Sequence, residues 1–359
     1  MERRRFLKGL GAVALGSTVV SRATKAYSAE KRFVWRMVTS WPPNFPILQT
    51  GAERLAQRVG ELSNGRLTIQ VYAGKELVPP LGVFDAVSQG TVECGHSASY
   101  YWAGKSPAFQ WFTSIPFGLN AQGMNTWLYQ GNGLKLWQEL YAQFNIVPRP
   151  AGNTGVQMGG WFNREINSLE DFKGLKMRMP GLGGKVLKKV GGTVVLLPAG
   201  EIYTSLERGV IDATEWVGPA HDLRMGFQKV AKYYYGPGWH EPGSVLEFIV
   251  NKKAHDALPD DLKAVLDVAC AELNVQMLTE FEHENAKGLQ TLMKEHKVKI
   301  KHFPPEVLKG LRKVAKETIE EEASKDKMAQ KIHRDFSVFQ EKMRPWANIS
   351  EREYYNFII

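Results

Sequence analysis

Thr204-Ser205-Leu206-Glu207-Arg208-Gly209-Val210-Ile211-Asp212-Ala213-Thr214-Glu215 reads as a helix end, a glycine in the left-handed cap, a short strand over 210–214 and a carboxylate where the strand stops. The same pattern stands earlier in the chain. Asp85-Ala86-Val87-Ser88-Gln89-Gly90-Thr91-Val92-Glu93-Cys94 again runs from a helix end through glycine into a strand that carries an acid. Helix-glycine-strand is a common αβ connection, so chance is one explanation. One copy in each half also suits two α/β lobes of like construction, and the distance between copies is too long for a solenoid repeat.

Working outward, Leu175 to Met179 alternates apolar and cationic residues and reads as a neighbouring strand with Lys176 and Arg178 on one face. Ligands bind at strand ends in open α/β sheets, which makes Arg178 and Glu215 candidate site residues. Two more polar groups sit among glycine, proline and tryptophan. They are Gln157, at the end of Ala151-Gly152-Asn153-Thr154-Gly155-Val156-Gln157, and Glu241, in Gly238-Trp239-His240-Glu241-Pro242-Gly243. One guanidinium with two carboxylates suggests an anionic ligand and a cation. Ordinary surface charges are the alternative.

The rest of the chain fits this frame. Phe33 to Val38 is a strand, Leu48 to Leu62 has helical spacing, and Leu67, Ile69 and Val71 alternate as a second strand. A short helix at 83–88 stops at Gly90 before a third strand at 91–95. Strands alternating with helices at this spacing predict parallel sheet with helices on its faces. Ser97-Ala98-Ser99-Tyr100-Tyr101-Trp102 follows the third strand, with Phe109, Trp111 and Phe112 behind it. Most of these aromatics read as core, while Tyr100 or Tyr101 is expected in the cleft beside Arg178. A strand at 245–251, a long helical pattern from Asp261 to His296, a strand at 299–303 and two more helices complete the chain. No low-complexity linker occurs, so the lobes are expected to be joined by crossing strands.

Arg3-Arg4-Arg5-Phe6-Leu7-Lys8, the uncharged stretch from Gly9 to Ser21 and the small residues at Tyr27-Ser28-Ala29 form an export signal over 1–29. Its paired arginines resemble the twin-arginine motif of proteins exported already folded. An uncleaved anchor is the alternative. No later run approaches the roughly 18 apolar residues of a spanning helix, so a soluble periplasmic protein is expected. Without the signal, Lys+Arg falls from 46 to 40 and Asp+Glu from 37 to 36, so the net charge drops from +9 to +4. Dispersed charge of that size gives no nucleic-acid partner. A mature length near roughly 330 residues favours two domains. Cys94 and Cys270 are expected as free, buried thiols, and two cysteines alone make no zinc site. Gly181-Leu182-Gly183-Gly184-Lys185 lacks the phosphate-loop spacing, His240-Glu241 does not open a zincin motif, and Gly-x-Ser-x-Gly is absent.

The twin-arginine leader, Ser97 to Trp102, Ile115-Pro116-Phe117-Gly118, the phrase Leu169-Glu170-Asp171-Phe172-Lys173-Gly174-Leu175-Lys176-Met177-Arg178 and the pair Glu215-Trp216 together resemble the DctP-type substrate-binding proteins of tripartite ATP-independent periplasmic (TRAP) transporters. Gly152 to Gln157 and Glu215-Trp216 point within that family to the branch that binds 2-oxo acids and lactate. The resemblance implies an α/β, two-lobed periplasmic binding protein, similar to type II, whose lobes close on the ligand and are braced by a long helix. The first lobe would span 30–151 with part of 243–300, and the second 152–242. The crossing strand, long helix and C-terminal helices would fill 243–359. It implies that Arg178 pairs with a ligand carboxylate, that Asn153 is a second donor and that Tyr100 or Tyr101 touches the ligand. It further implies a cation, sodium first and calcium as the alternative. Its ligands would be the Gln157 amide oxygen, the Glu215 carboxylate, the Trp216 carbonyl and the Glu241 carboxylate. The implied partners are a small monocarboxylate such as pyruvate, the TRAP permease and a second copy of the chain. A metal-dependent enzyme acting on 2-oxo acids and a ligand-sensing domain are the other classes, and the sequence offers no positioned general base or nucleophile beyond the ligand set. On this reading Arg178→Met removes pyruvate binding at nearly unchanged stability, and Glu215→Gln weakens the metal without disturbing Arg178.

Overall fold

The computed structural model describes residues 31–358, and the signal read at 1–29 lies outside them. Among the described residues the strands in chain order are β1 (Phe33–Thr39), β2 (Leu67–Tyr72), β3 (Cys94–Ser97), β4 (Ile146–Asn153), β5 (Gly160–Phe162), β6 (Lys176–Arg178), β7 (Thr193–Val195), β8 (Ala213–Thr214), β9 (Tyr233–Gly236), β10 (Val245–Asn251) and β11 (Lys299–His302). They form two sheets, ordered β2-β1-β3-β10-β4 and β11-β9-β5-β8-β6-β7. The fold is therefore two-lobed α/β, as expected.

Each sheet is mixed rather than parallel. β1 lies parallel to β2 and β3, but β10 is antiparallel to both β3 and β4. In the second sheet β6 is parallel to β7 and β8, while β5 is antiparallel to β8 and β9. The reversed strand is in each case the one that arrives from the other lobe, β5 directly after β4 and β10 directly after β9. A parallel neighbour needs a helical crossover to bring the chain back to the same end, and these two strands have none.

The two copies of the helix-glycine-strand pattern occupy equivalent places. Gly90 and Gly209 take φ of 72° and 68° after their helices. β3 then pairs with β1 from Met37↔Cys94, and β8 with β6 from Met177↔Ala213. Both strands start three residues later than the sequence suggests. Thr91 and Val92 donate their N–H groups back to the Ala86 carbonyl, and Val210 and Ile211 to that of Ser205, so these residues close the preceding helix instead of joining a ladder. The acid of each copy caps the neighbouring strand: Glu93 accepts from the Arg36 N–H at 2.8 Å, and Asp212 from the Lys176 N–H at 3.0 Å.

The helix Asp260–Lys294, roughly 50 Å long at 1.5 Å per residue, packs on the helix Leu48–Leu62 and on β4 in the first lobe, and on the helix Pro219–Met225 in the second. The helices Pro305–Ser324 and Lys327–Ala347 straddle the lobes in the same way. The first lies on Gly181–Lys189, and the second on Ala121–Gln130 and Gly133–Ala142. Cys94 and Cys270 are free and buried. Among the described residues no helix is long and apolar enough to cross a membrane.

Trp102, Phe109, Trp111 and Phe112 are core residues. The Trp102 indole donates at 2.6 Å to Glu247, a buried carboxyl on β10 that also accepts from the Tyr141 hydroxyl. Burial outweighs these donors and pushes Glu247 from 4.5 up to about 7. The fold thus holds this proton more tightly than the unfolded chain does. The associated stability is fully present below the unfolded value and is lost as pH rises through the folded one. Melting midpoints are expected to fall between pH ~5 and ~8, with a shallower fall in Glu247→Gln. An equal slope in the variant would show that Glu247 does not carry the effect.

Candidate functional site

Two adjacent parallel strands bring the first pair together. Arg178 ends β6 opposite Thr214 on β8, so Glu215 emerges one residue further along, its N–H donating to the Arg178 carbonyl at 3.3 Å. Arg178 Nη1 pairs with Glu215 Oε1 and donates to the Glu215 carbonyl at 3.2 Å, while Nε donates to the Leu197 carbonyl at 3.2 Å. The guanidinium lies 5.1 Å over the Trp216 ring. Arg178 and Glu215 are 1% and 0% exposed. Burial works against the charge on Arg178, but the Glu215 carboxylate prevails and holds the guanidinium above its ordinary pKa.

The stretches between β4 and β5 and between β9 and β10 supply the other wall. Gly152 at φ 144°, within β4, and Gly155 at φ 69°, just past its end, take backbone angles where most side chains would be strained. Gln157 then donates from Nε2 to Glu241 Oε2 at 2.8 Å and to Thr154 Oγ1 at 3.1 Å. Ser244 Oγ donates to the same Glu241 oxygen at 2.5 Å. Burial, and next the Glu215 carboxylate, push Glu241 from 4.5 up to about 7. Asn153 accepts from the Gly155 N–H through Oδ1 at 2.9 Å.

Tyr100 and Tyr101, with ring centroids 4.8 Å apart, approach from the first lobe. Burial raises both phenols. Glu241 adds to this at Tyr100, whereas Arg178 opposes it at Tyr101. Gly181, at φ 61°, faces Tyr100 across the cleft, and a Cβ there would come within 2.9 Å of the ring. The cleft thus brings together Tyr100, Tyr101, Gln157, Arg178, Glu215, Trp216 and Glu241, and Asn153 ends β4 beside Thr154, which accepts from Gln157. The sequence reading missed His240. It is 1% exposed, with Nε2 3.5 Å from Glu215 Oε2. The signal available in the sequence is its place next to the candidate Glu241 in Trp239-His240-Glu241-Pro242.

The polar atoms left over sort by kind. Gln157 Oε1, Glu215 Oε2 and Glu241 Oε1 are buried oxygens without a hydrogen-bond partner among the described residues. Arg178 Nη2 and Asn153 Nδ2 are buried donors in the same condition, as are both ring nitrogens of His240. Each buried polar group left unpaired costs about 1–3 kcal/mol. Unpaired oxygens and unpaired N–H groups in one buried site fit a cation and an anion bound together. Hard oxygen donors, two of them carboxylates, suit sodium or calcium.

Comparison with known proteins points the same way. The family described as bacterial extracellular solute-binding protein, family 7 (DctP), matches residues 37–326. A monocarboxylate 2-oxoacid-binding periplasmic protein of Nostoc sp. (strain PCC 7120) is 44% identical over 99% of this chain and 98% of its own. A TRAP periplasmic solute-binding protein of Pseudoalteromonas atlantica T6c, solved with sodium and pyruvate bound, is 45% identical. It superposes with a TM-score of 0.89 over 92% of this chain and 100% of that one. A TRAP transporter solute-binding protein of Bordetella bronchiseptica RB50 is 41% identical, with a TM-score of 0.89 over 91% of this chain and 97% of that one. It is described as a mixed-occupancy dimer, with copurified calcium and picolinate in one site and the other site apo. With the family match running through both sheets and the Nostoc relative aligned along nearly the whole length, the chain belongs to the DctP family, family 7 of the bacterial extracellular solute-binding proteins.

Proposed function

We propose that this protein is the periplasmic receptor of a TRAP transporter and that it binds a small 2-oxo monocarboxylate, such as pyruvate, together with a bridging cation. The observation that carries the reading is the sorted set of unpaired buried groups in the cleft. Arg178 Nη2 and Asn153 Nδ2 take the ligand carboxylate, and a tyrosine hydroxyl of the 100–101 pair takes a further oxygen. Gln157 Oε1, Glu215 Oε2, the Trp216 carbonyl and Glu241 Oε1 hold the ion, sodium first and calcium as the alternative. Without a cation the ligand carboxylate would meet two others in a desolvated cleft. A cation held by Gln157, Glu215 and Glu241 would turn that repulsion into attraction, and these residues would then favour acids that carry a second oxygen donor beside the carboxylate.

These contacts come from both lobes, so ligand and ion together shift the population toward the closed form that the permease reads. The role is binding rather than turnover. A periplasmic location is part of this proposal, supported by the periplasmic relative from Nostoc and by the export signal read at 1–29. Native mass spectrometry of protein purified without added ligand is expected to show one 2-oxo acid and one sodium or calcium ion per chain, and incubation with pyruvate and divalent metals to return pyruvate unchanged. Consumption of pyruvate would replace the receptor reading with an enzyme.

A homodimer belongs to the same proposal. Trp346, Ile349, Tyr354, Tyr355 and Phe357 are all exposed on the C-terminal helical segment, which is more apolar surface than a monomer needs. Sedimentation at micromolar concentration is expected to give the mass of two chains, and a monomer there would remove the dimer.

A further inference from the structure

We propose that His240 is a nitrogen donor to the cation site, and that the site therefore accepts a borderline dication such as Zn2+ or Co2+ in place of sodium or calcium. This rests on the reading of Glu215 and Glu241 as cation ligands and extends it to a residue and an ion class outside that reading.

Three donor atoms, one each from Glu215, His240 and Glu241, lie within 4.8 Å of one another, and all three residues are buried. The imidazole is fixed in place. Its ring meets Trp239 edge-on at 5.5 Å, and its Cβ sits so close to Gly183 that a Cβ on that glycine would come within 2.7 Å. Held this way, neither ring nitrogen finds a hydrogen-bond partner among the described residues. The 3.5 Å between Nε2 and Glu215 Oε2 is too long for a good hydrogen bond. It is close to the edge of a tetrahedron with arms of about 2.1 Å, roughly 3.4 Å, which is the geometry of zinc with nitrogen and oxygen ligands.

The donor types agree with the distances. Imidazole is a poor ligand for sodium and calcium but suits zinc, cobalt and nickel, and two carboxylates add the negative charge that a dication needs. Arg178 already occupies Glu215 Oε1, which leaves Oε2 as the single Glu215 oxygen facing His240. The Glu241 oxygen available on the other side is Oε1, because Oε2 accepts from Gln157 and Ser244. One nitrogen and two single carboxylate oxygens leave a fourth position for the ligand or for the Gln157 amide.

The test is a titration of the full chain with Co2+, followed by visible absorption and by competition with Ca2+. The wild type is expected to bind one Co2+ at least tenfold tighter than Ca2+, with the strong absorption of four-coordinate cobalt. Glu241→Gln is expected to abolish this signal, which assigns it to the cleft rather than to surface histidines. His240→Gln keeps a neutral hydrogen-bonding side chain but loses the imidazole lone pair. It is expected to weaken Co2+ at least tenfold and shift the spectrum, with a smaller loss for Ca2+. An unchanged Co2+ affinity and spectrum in His240→Gln would overturn the role of His240, as would a wild type in which Co2+ fails to displace Ca2+ or shows only weak six-coordinate bands. The wild-type measurements decide the matter if His240→Gln does not fold. A wild type that binds neither Ca2+ nor Co2+ would overturn this proposal, and only a pyruvate affinity that also ignores Na+ would overturn the cation site itself.

Discussion

Arg178→Met is expected to abolish pyruvate binding, with a loss of at least a hundredfold measured by calorimetry. The charge-assisted pair with the ligand carboxylate contributes about 1.5–3 kcal/mol, and more once closure excludes water. Loss of the fork also leaves the ligand carboxylate facing Glu215 and Glu241 alone. The sequence reading expected stability to stay nearly unchanged in this variant, and the structure corrects that. Arg178 and Glu215 form a fully buried pair, and removing one partner of such a pair costs about 3–5 kcal/mol. The melting midpoint should fall as well, so the binding loss needs a second variant to separate it from the fold. Arg178→Lys keeps a cation beside Glu215 and much of the stability, but one ammonium cannot hold Glu215 and the Leu197 carbonyl and still reach the ligand as the guanidinium's separate nitrogens do, so it too should fail to bind pyruvate. Pyruvate affinity within threefold of wild type in a folded Arg178→Lys or Arg178→Met protein would remove the anchor role.

The second large effect is cation dependence. If one ion bridges ligand and protein, ligand affinity must depend on the ion and ion affinity on the ligand by the same factor. Pyruvate affinity is expected to fall at least tenfold when sodium is exchanged for a bulky organic cation and calcium is chelated. The measurement is a calorimetric titration across a cation series at fixed ionic strength, and a flat response would leave only the arginine half of the site. The mutation that tests it has to change in light of the structure. Glu215→Gln was expected to spare Arg178, yet Glu215 is the guanidinium's own partner. Glu241→Gln is the cleaner choice, because Glu241 is held by Gln157 and Ser244 and not by Arg178. It is expected to lower pyruvate affinity in sodium about tenfold or more and to remove most of the cation response.

What was legible in the sequence was short-range. The glycine in the left-handed region after a helix appears in both lobes at the expected residue, because the backbone rule behind it is local, while the strand behind it starts three residues late. Gln157, Arg178, Glu215 and Glu241 sit beside glycines, prolines and tryptophans that shape sharp turns, and the structure sets these four against one another. The misses are long-range or involve competition between rules. β4 carries Pro148 and Pro150, which argue against a strand, but as the edge of its sheet it pairs on one side only and tolerates them. Strand direction depends on which lobe the chain has just left, which no local pattern encodes. The Arg178–Glu215 pair and the place of His240 depend on residues 37 and 25 positions away from Glu215. Their chemistry could be named from the sequence, but their pairing could not.

The order in which strands enter the two sheets also governs how the protein can be made. β4 has β10 as its only strand partner, and β10 lies nearly a hundred residues downstream. The second sheet gains its β11 edge only at residues 299–302. A nascent chain that has emerged as far as Gly243 therefore carries an unpaired β4 and two sheets with open edges, the kind of surface that recruits strands from other chains. Neither lobe can mature ahead of the other during synthesis. Both close late and nearly together, so throughout elongation the growing chain depends on whatever protects exposed strand edges in the compartment where it is made.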